Sequence, residues 1–453
     1  MSRKKADRTP VKRRAAESSP DSGRRRFVFL GAGALAAAGV GLFGAHRAGW
    51  FGPEAAAPTL PSAGAAWRVL PPKVEAADYP QALQAADEML GHYGRVLGQP
   101  SPLIHAVRGL GRNFKLADGA RAVDHLCSTQ AADREVNGRR RVYFRREAEV
   151  HENSFLKTFL EAGVSLDQPV IAGDRRYSLR EVAESARALF RCDPQNLYRY
   201  DDRTFRYDSS SAVPPASSGP GELLHEHLPW GLIAFSILVP PESASWTNDF
   251  GEQIDLAAVI DRSLAEYETT CALGREELTR DQTSPPPFRE AIKKYSCFGL
   301  HSVYGYLTCL KAGYGDQDLS ARLERVLNLV ICRLKGDADA IEREYVREAR
   351  GASPQLVEAF RQRALVKLYG HAFEAINYAR LHQLFAFTSE QERRIRTGEQ
   401  AFYESLVKIR AMDWNLLYQA LGEKFVSDLV IALGHASRAL KLLTPESPDR
   451  VRS

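Results

Sequence analysis

The chain lacks most of the short signatures that tie a sequence to one chemistry. Its 453 residues hold six cysteines, and no two of them stand as Cys-x-x-Cys or Cys-x-x-Cys-His. Dithiol redox chemistry and covalent c-type haem attachment are therefore unsupported. No compact disulfide framework is spelled out either, and a chain this long builds a core without staples. Cys127, Cys192, Cys271, Cys297, Cys309 and Cys332 read mostly as buried thiols. No repeat recurs at a fixed period, which argues against solenoids and propellers. Strand signals are few; Arg141-Val142-Tyr143-Phe144 is the clearest. A charge excess in the body is also missing. Residues 1–26 carry ten Lys/Arg against three Asp/Glu, so they hold +7 and the remainder −2 of the net +5. A near-neutral body argues against nucleic-acid binding, which draws on clustered phosphate-neutralising cations. With 44% hydrophobic and 26% charged residues, the chain is neither disordered nor a multi-span membrane protein.

One apolar run stands out. Phe27 to Ala45 is 19 residues without a charge, eleven of them Gly or Ala. Ahead of it stands Ser22-Gly23-Arg24-Arg25-Arg26-Phe27-Val28. This resembles a twin-arginine translocation signal: paired arginines, a variable residue, Phe, then an apolar residue. Gly23 and the third arginine depart from that pattern. The other reading is an uncleaved anchor, since 19 residues at ~1.5 Å each span a bilayer. Both readings put residues after about 50 outside the cytoplasm, because the basic flank stays inside. They differ on cleavage, for which Ala55-Ala56-Ala57 and Ala63-Gly64-Ala65 offer small-residue sites. The resemblance implies export of a folded protein, with any cofactor loaded beforehand.

Four divisions follow. Residues 1–50 are the basic tail and signal or anchor. Residues 51–79 are a Pro/Ala-rich linker. Residues 80–352 are a helical main domain, and 353–453 a C-terminal helical segment packed on it. Ser209 through Gly221 and Ser284-Pro285-Pro286-Pro287 read as loops within the body. Elsewhere helical periodicity dominates. Ser178 with Glu181 and Thr388 with Gln391 form capping boxes, and Asp255 caps a third helix. Ser353-Pro354 starts another. Leu417, Leu421, Phe425, Leu429 and Leu433 fall four apart, one apolar face. Leu228 to Val239 is almost wholly apolar but too short to span a bilayer, so it is a buried helix.

The expected fold is mainly α: stacked helical hairpins or an α/α toroid, with few short strands. In helix density, residues 150–443 resemble α/α-toroid proteins such as terpenoid cyclases, protein prenyltransferases and polysaccharide lyases. They also resemble uncharacterised exported bacterial proteins, which implies no activity. The cyclase Asp-x-Asp-Asp motif is absent. Where lanthionine cyclases have Cys-His-Gly, this chain has Cys297-Phe298-Gly299-Leu300-His301. No family residue transfers.

Four clusters could carry chemistry. On a helix Cys297 and His301 share a face, with Tyr304 a turn beyond. That pair can ligate zinc or couple a thiol to a base, or simply pack a helix core. His225-Glu226-His227 precedes Pro229, which suits a helix's first turn, so His227 stands near a helix start. It is not the zinc-protease pattern, since residues two apart point ~200° apart. Trp246, Asn248 and Asp249 join a stacking surface to hydrogen-bonding groups, as sugar-binding loops and ordinary helix-start loops both do. His151 and Asn153 follow Arg139-Arg140-Arg141, which could hold an acidic substrate such as a uronate; alternatively Asn153 or Ser154 caps a helix.

Two functional readings follow. In the first, the protein is an exported helical enzyme with a cleft, either a metal-dependent hydrolase or similar to polysaccharide lyases. His227, His301 and Tyr304 are its catalytic candidates, and Cys297, His301 and His227 its ligands for zinc. Trp246, Asn248 and Asp249 bind an acidic or carbohydrate substrate. In the second, it is a non-catalytic envelope protein anchored by 27–45. Its partners are the export machinery through 22–45 and, if uncleaved, the membrane; the location is periplasmic or otherwise extracytoplasmic.

Overall fold

The computed structural model describes residues 76–145, 147–149, 151–192, 200–201, 206–207, 220–271, 296–315, 317–348, 354–445 and 449. Residues 22–45, for which a translocation signal or anchor is expected, the expected linker up to 75, the low-complexity residues 208–219 and the proline run at 285–287 lie outside them. So does Ser353.

The fold is mainly α, with a few short strands in two-stranded sheets. Helix α1 (Tyr79–Val96) opens on a capping box: Asp78 accepts from the Gln81 N–H, and Gln81 accepts from the Asp78 N–H. Helices α2 (Pro100–Leu110) and α3 (Ala122–Thr129) follow. Strands β1 (Ala131–Val136) and β2 (Arg139–Phe144) pair antiparallel with Ala131 opposite Phe144. Their turn is Asn137-Gly138, both at positive φ, as a two-residue hairpin requires. Next come α4 (Ser154–Glu161), the hairpin of β3 (Pro169–Ala172) and β4 (Arg175–Ser178), and α5 (Leu179–Leu189). The Ser178/Glu181 capping box forms as the spacing predicts, with the Ser178 N–H 2.7 Å from Glu181 Oε2.

Beyond the short pair β5 (Tyr200–Asp201) and β6 (Arg206–Tyr207) lies α6 (Pro220–Leu238). Leu228–Phe235 is buried throughout, in keeping with the apolar run. One detail differs. Pro220 opens this helix, so Pro229 lies inside it and His227 sits two turns in, not near a start. Pro220 takes the first-turn role because its missing N–H has no intrahelical partner there anyway. The hairpin of β7 (Ser245–Thr247) and β8 (Gln253–Asp255) leads to α7 (Leu256–Thr270), capped by Asp255 through the Ala257 and Ala258 N–H groups. The remaining helices are α8 (Leu300–Lys311), α9 (Gln317–Glu348), α10 (Pro354–Leu381), α11 (Ser389–Arg410) and α12 (Trp414–Lys441). Thr388 and Gln391 make their capping box. Helix α12 kinks at Gly422, φ 74°; Leu417, Phe425, Leu429 and Leu433 are buried along it.

Besides α4 and the 228–236 stretch of α6, three helices depart from the amphipathic pattern of a surface helix. Residues 301–309 of α8, 368–379 of α10 and 432–440 of α12 are buried without a break. All-round burial means the helix is enclosed by others. Helix α10 packs against α8, α9, α11 and α12, and α12 also packs against α1 and α2. One core runs from Ala82 to Leu442. Among the described residues α10 is thus enclosed by four helices. No described helix is long and apolar enough to cross a membrane.

Small residues allow this approach. A Cβ on Gly434 of α12 would stand 2.5 Å from the His105 carbonyl oxygen on α2. Backbone cannot retreat cheaply, so Gly434→Ala is expected to lower the unfolding free energy by about 1–3 kcal/mol. That loss outweighs the ~1 kcal/mol alanine gains over glycine in a helix. A urea titration checks it; an unchanged or raised midpoint would mean the helices separate freely.

Candidate functional site

The three buried stretches each deliver one histidine to a common centre: His301 from α8, His371 from α10 and His435 from α12. The rings of His371 and His435 stack at 3.7 Å, and His301 meets them at 4.7 and 4.9 Å. His105 of α2 adds a fourth ring, 5.3 Å from His435. His301 also meets Trp230 at 4.5 Å, and His151 stacks on Trp230 at 3.8 Å.

Cys297 arrives by a different route from the expected one. It lies in a 3₁₀ turn, Ser296–Gly299, ahead of α8, so it does not share a helix face with His301. Cys297 itself holds φ 51° and Gly299 φ 74°. Such positions are strained for a side chain other than glycine and persist where the surroundings enforce them. A Cβ at Gly299 would also stand 2.8 Å from the Tyr267 ring. The turn brings Cys297 Sγ and one nitrogen each of His301 and His371 within 4.8 Å of one another. Bonds of ~2.0–2.3 Å at tetrahedral angles hold ligand atoms roughly 3.5 Å apart. Small rotations of the three side chains close that gap.

The protonation pattern favours ligation. His371 Nδ1 lies 2.7 Å from the Lys367 carbonyl, so it carries the proton and donates it there. Its Nε2 is buried and has no hydrogen-bond partner. A ligating histidine is oriented in this way, one nitrogen tied to an oxygen and the other left for the metal. Burial, helped by the Lys367 charge, pushes His371 down to about 3. Burial also holds His301 well below its ordinary value, reinforced by His371 and Lys157. Both imidazoles are neutral at pH 7, the form a metal requires.

Beneath the rings lies a network of buried charges. Glu161 of α4 pairs with Arg108 Nε at 3.1 Å and Lys157 Nζ at 3.1 Å. Glu374 of α10 pairs with Arg108 and, at 3.1 Å, with Arg438 Nε. Arg438 also reaches Asp449 at 3.1 Å. Tyr304 donates to Glu161 Oε1 at 2.6 Å and accepts from Arg438 at 2.8 Å. Three cations thus face three carboxylates. Burial alone would raise Glu161, yet Arg108, Arg438 and Lys157 hold it far below the usual carboxylate range. Lys157 is lowered to about 8, by burial first and then by Arg108. The partners of one ion pair therefore respond unequally. Glu161 sees three cations, whereas Lys157 shares its surroundings with two arginines. His435 Nδ1 stands 2.5 Å from Arg108 and 2.8 Å from Glu374. Arg108 can only donate and the Glu374 carboxylate can only accept, so Nδ1 serves one of the two according to its tautomer.

A pocket of about 330 Å³ reaches the network from outside. Ile233, Val239, Pro240 and Pro241 make an apolar wall; Glu161 and Tyr304 line its polar side, with Tyr378 and His382 nearby. None of Cys297, His301 and His371 lines it.

The other sequence candidates have structural partners. Trp246 Nε1 donates to the Arg187 carbonyl at 3.0 Å. Asn248 Oδ1 accepts from the Phe250 and Glu252 N–H groups, shaping the β7–β8 turn. Asp249 is held by Arg141 through two bonds of 2.5 and 2.6 Å. The three form a hairpin brace, and none lines the pocket. Arg140 pairs with Asp133, so it too is committed elsewhere. Asn153 sits at positive φ before α4 without a side-chain cap; Glu149 accepts from the Phe155 N–H instead. The side chain of His227 lies outside the described residues. Cys127, Cys192, Cys271, Cys309 and Cys332 are buried and outside any disulfide.

Sequence reasoning missed His105, Arg108, Lys157, Glu161, His371, Glu374, His435 and Arg438. One signal was available: Gly370-His371-Ala372 and Gly434-His435-Ala436 repeat a tripeptide. A Cβ on Gly370 would meet the Ala436 nitrogen at 3.0 Å, so the small residues mark where α10 and α12 touch. No protein-family model matches the chain, and no curated protein or solved structure matches it either.

Proposed function

We propose that this is an exported metalloprotein that holds one ion, zinc or a neighbouring first-row metal, on Cys297, His301 and His371. Two observations carry the reading: His371 keeps a buried Nε2 without a hydrogen-bond partner, and one of its ring nitrogens lies within 4.8 Å of the other two donors. A thiolate and two imidazoles suit soft and borderline metals and leave a fourth position open. The export half of the proposal rests on residues 22–45 alone. It agrees with a cofactor bound before translocation.

The same geometry weighs against the hydrolase and lyase variants. A substrate in the 330 Å³ pocket meets Glu161 and Tyr304, not the three donors. A lyase needs a proton-abstracting base. Tyr304 donates to Glu161, and burial raises it well above the ordinary phenol value, so it keeps its proton.

Metal content of the purified full chain tests the reading. About one equivalent is expected in the wild type and in Tyr304→Phe, and a loss of roughly tenfold or more in His371→Ala. Circular dichroism separates loss of the site from loss of the fold. No metal in the wild type, or equal metal in His371→Ala, would overturn it.

A further inference from the structure

We infer that the ion is copper, that it cycles between Cu(I) and Cu(II), and that Trp230 and His151 carry its electron to the surface. This rests on the metal reading above and adds the identity and work of the ion. Two imidazoles and one thiolate are the donor set of copper electron-transfer sites. Zinc in the same set is redox-silent. Position points the same way. His301 and His371 are 5% and 1% exposed, Cys297 is half-buried, and none of the three lines the pocket. An ion so enclosed reacts by outer-sphere exchange more readily than by binding a substrate.

The rings around it are clamped. His435 stacks on His371, and Trp230 rests on His301. Once the ion has drawn the donors together, rings packed in this way move little when its charge changes. From His301 the ring contacts lead outward: 4.5 Å to Trp230, then 3.8 Å to His151 at an interplanar angle of 14°. Trp230 is buried and His151 half-buried, so the path leads from the core to a ring solvent can reach. The step is simple to balance. Cu(I) gives one electron to an outer-sphere acceptor and becomes Cu(II). No bond to the ion forms or breaks, and the thiolate stays deprotonated. The physiological partner is a one-electron carrier protein that docks over His151.

The test loads the full chain with one equivalent of Cu(I) without oxygen and oxidises it with ferricyanide in a stopped-flow instrument. A visible thiolate-to-Cu(II) charge-transfer band should appear in one phase. Trp230→Leu should keep the band and slow its appearance roughly tenfold or more, with Trp230→Phe close to wild type. His151→Leu, at a half-buried position, gives a second reading should Trp230→Leu fail to fold; slowing is expected there too. An unchanged rate in the folded leucine variants would overturn the path. Bound metal without the band would overturn the copper inference while leaving the metal reading in place. No bound metal of any kind would overturn both.

Discussion

Glu161→Ala should lower the unfolding free energy by about 3–5 kcal/mol, the cost of leaving buried charge uncompensated. Glu161 is 1% exposed and touches Arg108, Lys157 and Tyr304. Without it, three buried cations face only Glu374 and Asp449. Lys157 is already lowered to about 8 with Glu161 in place, so removal pushes it further toward the neutral amine. Glu161→Gln keeps an acceptor for Tyr304 and most of the volume but loses the charge. It should fall between wild type and alanine. Total stability is typically 5–15 kcal/mol, so the alanine variant approaches the limit of folding. Urea unfolding at pH 7 measures both. A loss under about 1 kcal/mol in Glu161→Ala would mean that water enters and screens the network.

The second large effect is a loss of stability in mild acid by the metal-free protein. His371 titrates near 3 when folded and His105 also near 3, in both cases because burial disfavours the cation. Unfolded imidazoles take a proton near 6.5. Between those values the unfolded chain binds more protons, so acid favours it. Stability is fully present above pH 6.5 and is lost as pH falls toward 3. At pH 5 His371 alone removes about 2 kcal/mol, and His105 up to as much again. His301 and His435 shift in the same direction. Glu161 also loses its contribution in acid, but only from the unfolded carboxylate value of ~4.3 downward, so the interval from pH 7 to 5 leaves it in place. Urea midpoints from pH 7 to 5 check the slope. His105→Gln should flatten it by one group; a flat wild-type profile would mean the histidines already accept protons in the fold.

Much of the scaffold was legible because its rules are local. Ser178, Asp255 and Thr388 start helices for reasons contained within three residues. The Leu417–Leu433 face and the apolar run at 228–239 follow from period and length. The site was legible only in part. Cys297 and His301 were found because they are close in sequence, although the turn between them is not the helix the spacing predicted. His371 and His435 lie on helices buried all round, where no polar face marks an outlier. Arg108, Lys157, Glu161, Glu374 and Arg438 carry charges that a sequence places at the surface by default. Only the crossing of α2, α4, α10 and α12 pairs them. Trp246, Asn248 and Asp249 stood out in the sequence as a binding loop, and in the fold their side chains hold a hairpin together.

The central claim is that Cys297, His301 and His371 bind one ion together. Metal-edge X-ray absorption of the full chain with one equivalent of zinc tests it most directly, since it reads the donor atoms whichever metal is native. The account predicts one sulfur at ~2.3 Å and two imidazole nitrogens at ~2.0 Å, with the sulfur lost in Cys297→Ser. A shell of oxygen and nitrogen alone, or one that Cys297→Ser leaves unchanged, would contradict it.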